Sequence, residues 1–144
     1  MESQYPLGLH INKLNRLISR KVDAAVIHAI DDDITVSQAY VIDFITDNSN
    51  RDIFQKDLEM EFDLKRSSVS LMLNNMEKHD LIKRVPVAED ARLKKIILTE
   101  KSVELSKKIA IAIDSVESKL SENMDQDEIN TFLNMLNKIR TNIE

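Results

Sequence analysis

The sequence has no cysteine, one glycine and two prolines among 144 residues. Without cysteine, disulfides, thiolate zinc sites and thiol-based redox sensing by this chain are excluded. So few glycines and prolines leave little backbone built for tight turns, which disfavours a sandwich or barrel of many short strands and predicts a mainly helical chain. No apolar run approaches the roughly 20 residues that span a bilayer. Met1 to Leu9 also lacks the basic-then-apolar pattern of an export signal, so a soluble, cytoplasmic protein without membrane partners is expected. The three histidines, His10, His28 and His79, stand far apart. No HExxH, P-loop or dinucleotide fingerprint occurs. Neither catalysis nor a cofactor is expected, although metal sensing by His10 or His28 with nearby carboxylates stays open.

What is present is 42% hydrophobic and 31% charged residues, enough for one globular domain with a real core. The net charge of -5 argues, taken alone, against a nucleic-acid partner. Its distribution reverses that argument. Leu64 to Thr99 holds eight basic and four acidic residues, and the rest of the chain 12 basic and 21 acidic. Such an asymmetry fits a basic working surface on an acidic body; a charged face that only meets solvent is the alternative.

Apolar spacing then orders the chain. Ile11, Leu14, Ile18, Val22, Ala25 and Ala29 form one stripe, predicting a helix over about 9–30. Asp31-Asp32-Asp33 interrupts it, and Thr35 with Gln38 reads as a capping box opening a second helix that ends near Asp47. A short third helix fits Phe54 to Phe62 and a fourth fits Lys65 to His79, with Val69, Met72, Leu73 and Met76 inward. Only Asp63-Leu64 separates these two, which forces a steep crossing as in a helix-turn-helix, and Asp63 tolerates the left-handed geometry such a turn needs. Leu81 to Val85 and Lys94 to Leu98 are branched, strand-like runs that predict a two-stranded hairpin with a long tip. Thr99 caps a long helix carrying Ile109, Ile113, Val116 and Leu120. Asp125 and Glu128 open a last one bearing Ile129, Phe132, Leu133, Leu136, Ile139 and Ile143.

Several of these segments together, Gln55 with Leu58, Phe62-Asp63-Leu64, Arg66-Ser67-Ser68-Val69-Ser70, Glu77 to Ile82, Asp90-Ala91-Arg92 and Leu98-Thr99-Glu100-Lys101, resemble the MarR family of bacterial regulators. The resemblance implies a mainly α chain with a small β-hairpin: a winged helix-turn-helix lobe at 34–100 and a helical dimerisation region formed by 1–33 and 101–144. It implies a sequence-specific double-stranded DNA-binding transcriptional regulator, probing a pseudo-palindromic operator as a homodimer, and a repressor released by a small aromatic or anionic effector. The chain departs from the family pattern at Lys65, where a capping Ser or Thr is usual, and at Asp80 and Ser102, where Gly is common.

In that frame the fourth helix is the recognition helix, its outer face at Ser67, Ser70, Leu71, Asn74 and Lys78 compact enough for base edges. Asn74 and Asn75 suit adenine, and Leu71 a thymine methyl. Lys65, Arg66, Ser67 and Ser68 sit at the helix start, where N–H groups and the dipole favour a phosphate. Arg92 resembles the family's wing arginine and would enter the minor groove, with Asp90 steadying the wing by an ion pair. Lys83, Arg84, Lys94 and Lys95 flank the DNA backbone. Ile11, Leu14 and Ile18 with Ile129, Phe132, Leu136 and Ile139 are assigned to the dimer, an intramolecular helix bundle being the alternative. Tyr40, Phe44 and His28 are candidates for an effector cleft, though Tyr40 and Phe44 at helical spacing also suit a core. A winged-helix module that binds proteins rather than DNA is the other functional class left open.

Overall fold

The structure, a computed structural model, describes residues 6–31 and 33–144. Asp32 of the aspartate interruption and the first five residues lie outside the described residues. The element order is α1 (Leu7–Ala29), α2 (Val36–Asp47), α3 (Gln55–Glu61), α4 (Arg66–Lys78), β1 (Ile82–Pro86), β2 (Lys94–Leu98), α5 (Glu100–Leu120) and α6 (Gln126–Ile143). This is the mainly α chain with a hairpin wing that the periodicity predicts.

Side-chain acceptors at the cap position open α2, α5 and α6. Thr35 Oγ1 accepts the Gln38 N–H at 3.2 Å and Gln38 Oε1 accepts the Thr35 N–H at 3.1 Å, a complete capping box. Asp125 and Glu128 repeat it at α6, both bonds being 2.9 Å. Lys65, at the cap position of α4, has no hydroxyl to offer and makes no capping bond.

The stops of α3 and α4 are alike. Asp63 and Asp80 take left-handed φ values of 49° and 56°. The next N–H reaches back five residues in each case, Leu64 to the Glu59 carbonyl at 3.1 Å and Leu81 to the Met76 carbonyl at 2.8 Å. Both are Schellman closures, for which aspartate is a workable and glycine the strain-free residue. The first turns the chain sharply from α3 into α4; the second releases it into the wing.

β1 and β2 pair antiparallel from Ile82 opposite Leu98 to Pro86 opposite Lys94. Beyond the expected hairpin, the Ile96 N–H donates to the Ile53 carbonyl at 2.7 Å, so Ile53, two residues before α3, adds a single bridge to the hairpin. A single isolated position carries no alternation, and sequence pattern could not reveal it.

One core joins these pieces. Val41 and Ile42 of α2, Leu58 of α3, Val69, Leu73 and Met76 of α4, Leu81, Ile82 and Ile96 of the wing and Ile109 of α5 are all buried, with Val26 the only buried residue of α1. The α5 stripe departs from expectation at Leu120, which is exposed, and α6 buries none of its residues. Asp63→Ala should lower stability by about 1 kcal/mol, while Asp63→Gly leaves it equal or higher, because only the first puts a Cβ into left-handed backbone without a compensating short polar side chain. Urea unfolding midpoints of the two variants check this; equal values would show that the turn is not under that constraint.

Candidate nucleic-acid interface

α4 stands on its buried Val69, Leu73 and Met76 and turns its opposite face outward. Helical spacing places Ser67, Leu71, Asn74 and Lys78 along the middle of that face, and all four are exposed. Leu71 is 73% exposed, a large apolar side chain left in water among polar ones. Lys65, Arg66, Ser67 and Ser68 are exposed at the helix start, and the first turn has no acidic residue.

The flanks of the face are tied to three other elements. Gln38 Nε2 of α2 donates to Asn75 Oδ1 at 2.7 Å. Gln55 Nε2 of α3 donates to Ser70 Oγ at 2.8 Å and to the Arg66 carbonyl at 3.3 Å. From β1, Arg84 reaches back onto the helix: Nε and Nη2 fork the Glu77 carboxylate at 3.1 and 3.2 Å, and Nη2 also donates to Asn74 Oδ1 at 2.6 Å. The guanidinium holds the Glu77 carboxyl below its ordinary range, chiefly through these hydrogen bonds. Arg84, expected to flank a DNA backbone, is therefore turned onto α4 and half-buried there. Asn75 sits at the edge facing α2 rather than mid-face.

At the wing, Asp90 Oδ1 accepts both the backbone N–H of Arg92 at 3.0 Å and its Nε at 3.3 Å, the steadying pair expected from sequence. Arg92 remains 93% exposed beyond it. Lys83 and Lys94 are exposed, whereas Lys95 pairs with Asp52 at 3.2 Å. Sequence reasoning missed Gln38, Gln55 and Glu77 as supports of this surface. Gln38 carried a signal only as a cap, and a bond spanning 37 residues leaves no local pattern.

Of the effector candidates, Tyr40 and Phe44 line a cavity of about 430 Å3 with Asp43, Asp47, Asn48, Glu61 and Phe62. Phe44 and Phe62 meet edge to face with centroids 6.0 Å apart. Tyr40 donates its hydroxyl to Asp23 of α1, and its own ionisation is pushed well up by burial and by that carboxylate. Burial and the neighbouring Asp47 and Asp114 likewise raise Asp43. His28 is exposed and is not among the lining residues, so the structure does not bring it to this cavity. Among the described residues no three His, Asp or Glu side chains gather as a metal site requires.

The assigned dimer residues of α1 and α6 are all exposed or half-buried within one chain. Leu14 and Ile18 face Ile129, Phe132 and Leu133 across an apolar cavity of about 590 Å3 that also includes Leu120 and Met124.

Residues 32–93 match the family model described as MarR family. Among solved structures, a transcription regulator MarR from Oenococcus oeni PSU-1 is 27% identical over 94% of this chain and 99% of its own, with a TM-score of 0.72. The complex of S. aureus MepR with DNA superposes with a TM-score of 0.81 at 20% identity, covering 99% of this chain and all (100%) of that one. A mutant of MarR from E. coli complexed with operator DNA gives 0.73 at 21% identity, with 93% of each chain covered. The motif-bearing lobe is thus similar in sequence to the MarR family model, and the whole chain is similar in fold to the transcription regulator MarR.

Proposed function

We propose that this chain is a cytoplasmic, sequence-specific double-stranded DNA-binding regulator, a homodimeric repressor that a small effector releases from its operator. The lobe at 34–100 holds DNA, and 1–33 with 101–144 form the dimer. The observation that carries the DNA reading is the outer face of α4, where Leu71 lies exposed between Ser67, Asn74 and Lys78 on a helix whose other side is fully packed. Folding gains nothing from an exposed leucine there, whereas a thymine methyl in the major groove would bury it. The start of α4, cationic and free of carboxylates, suits a phosphate, and exposed Arg92 suits a narrow minor groove. The structures of MepR with DNA and of MarR with operator DNA support the same assignment by analogy of fold.

The dimer rests on α6. An 18-residue amphipathic helix that buries nothing in its own chain is marginal by itself in water. A second copy supplies the missing cover, inserting its own terminal helices into the groove between Leu14, Ile18, Ile129 and Phe132. Two-fold pairing would then set two recognition helices about 34 to 36 Å apart, one turn of a pseudo-palindrome.

The cavity between Tyr40, Phe44 and Phe62 is the effector site supported best, because a guest there bears on α2 and α3 and so on the position of α4. Its aromatic walls suit an aromatic guest. Asp43, Asp47 and Glu61 repel an anion, so an aromatic amine fits this cavity better than the anion expected from sequence.

Affinity for a selected duplex should fall steeply between ~50 and ~200 mM salt, and Arg92→Ala should weaken binding and flatten that dependence by about one unit of log–log slope; a salt-independent association would favour the protein-binding alternative. Phe132→Glu with Leu136→Glu should give monomers in analytical ultracentrifugation and cost on the order of 100-fold in operator affinity through lost bivalency. A variant that stays dimeric would remove α6 from the interface. In a release assay, an aromatic amine should dissociate DNA where an aromatic carboxylate of equal size does not, and Asp43→Asn should blunt the amine; the reverse selectivity would place the effector elsewhere.

A further inference from the structure

Three side-chain oxygens on the outer face of α4 are held from behind: Asn75 Oδ1 by Gln38, Ser70 Oγ by Gln55 and Asn74 Oδ1 by Arg84. The chemistry of each partner forces the direction of its bond. Arginine has no acceptor, so Asn74 must turn its oxygen to it. Gln38 spends Oε1 on the Thr35 N–H, which leaves only its amide nitrogen for Asn75. Gln55 also reaches the Arg66 carbonyl, which can only accept, so its nitrogen again points to the helix. The usual ambiguity of amide orientation is thereby removed by the network itself.

The consequence concerns which bases can be read. With one acceptor site of each oxygen engaged and the amides fixed in direction, Asn74 and Asn75 have amide N–H groups left over, Ser70 has its hydroxyl hydrogen, and Lys78 donates only. We propose that Ser70, Asn74, Asn75 and Lys78 form a donor face that reads acceptor edges in the major groove, guanine O6 and N7, thymine O4 and purine N7, with Gln38, Gln55 and Arg84 as its positioning residues. Paired reading of adenine by Asn74 needs Oδ1 to accept from the 6-amino group. That oxygen is turned towards a guanidinium anchored on Glu77, 2.6 Å away, which competes with the 6-amino group for it. Arg84 thus acts through Asn74 rather than on a phosphate. The inference rests on the DNA-binding reading given above.

Duplexes selected by the wild-type homodimer from a random pool test it directly. Within the best duplex, single 7-deazapurines remove an N7 acceptor, and purine in place of adenine removes a 6-amino donor. Loss of N7 at one or more half-site positions should cost about tenfold in affinity, and loss of the amino group less than about twofold. Dependence on amino groups with indifference to N7 would overturn the donor face while leaving DNA binding intact. Failure to enrich any duplex would bring down the DNA-binding reading and the donor face with it. Gln38→Glu supplies a second arm: it keeps the capping acceptor but loses the donor, so Asn75 should reverse its amide and one position should come to depend, about tenfold, on an amino group. A folded Gln38→Glu protein with unchanged base dependence would remove Gln38 as a positioning residue and overturn that part of the proposal.

Discussion

Where α4 ends, the chain must leave a helix, enter a strand and later return to start α5 at the same place. The left-handed turn at Asp80 leaves the carbonyls of Asp80 and Leu81 beyond the helical ladder. Thr99 donates its hydroxyl to Asp80 at 2.7 Å, and Ser102 donates to Leu81. The same Thr99 oxygen accepts the Ser102 N–H at 3.3 Å and so opens α5. Thr99, Ser102 and Leu81 are buried, so an unmet Leu81 carbonyl there would cost roughly 1–3 kcal/mol. One short set of hydrogen bonds therefore fixes α4, the wing and α5 relative to each other. It also explains Ser102 at a position where glycine is common in the family: its hydroxyl satisfies a carbonyl there.

From that junction α4 gains a rigid base, and its exposed face acquires a direction. A helix on solvent normally presents mobile polar side chains. Here three donors from α2, α3 and β1 hold the side chains of Asn75, Ser70 and Asn74 in place. Such support limits the entropy lost when the face meets a partner, since the rotamers are already chosen. The wing is steadied locally by Asp90, while Arg92 stays in solvent. Rigidity thus falls on the outer face of α4, and freedom on the tip of the wing.

The two ends of the chain show the opposite economy. α1 gives a single buried residue to the core, and α6 none, yet both carry continuous apolar stripes. Val22, Ala25 and Ala29 of α1 pack partly buried against the core, whereas the apolar stripe of α6 stays uncovered within one chain. The acidic Tyr40–Phe44 cavity is bounded by α2 and the end of α3.

Local patterns were sufficient for the element order, the capping boxes at Thr35 and Asp125, the left-handed turn at Asp63 and the family resemblance, because each depends on residues within a few positions of one another. Period and cap chemistry are written in adjacent side chains. The sequence by itself also determined the segregation of charge and the Asp90–Arg92 pairing. Only the tertiary structure decided that Ile53 joins the sheet, that His28 stands away from Tyr40 and Phe44, and that Arg84 binds Glu77 and Asn74. It also decided which way the amides of Asn74 and Asn75 point. Those outcomes follow from contacts between segments distant in sequence, where the partner is chosen by packing of the common core and not by any spacing along the chain.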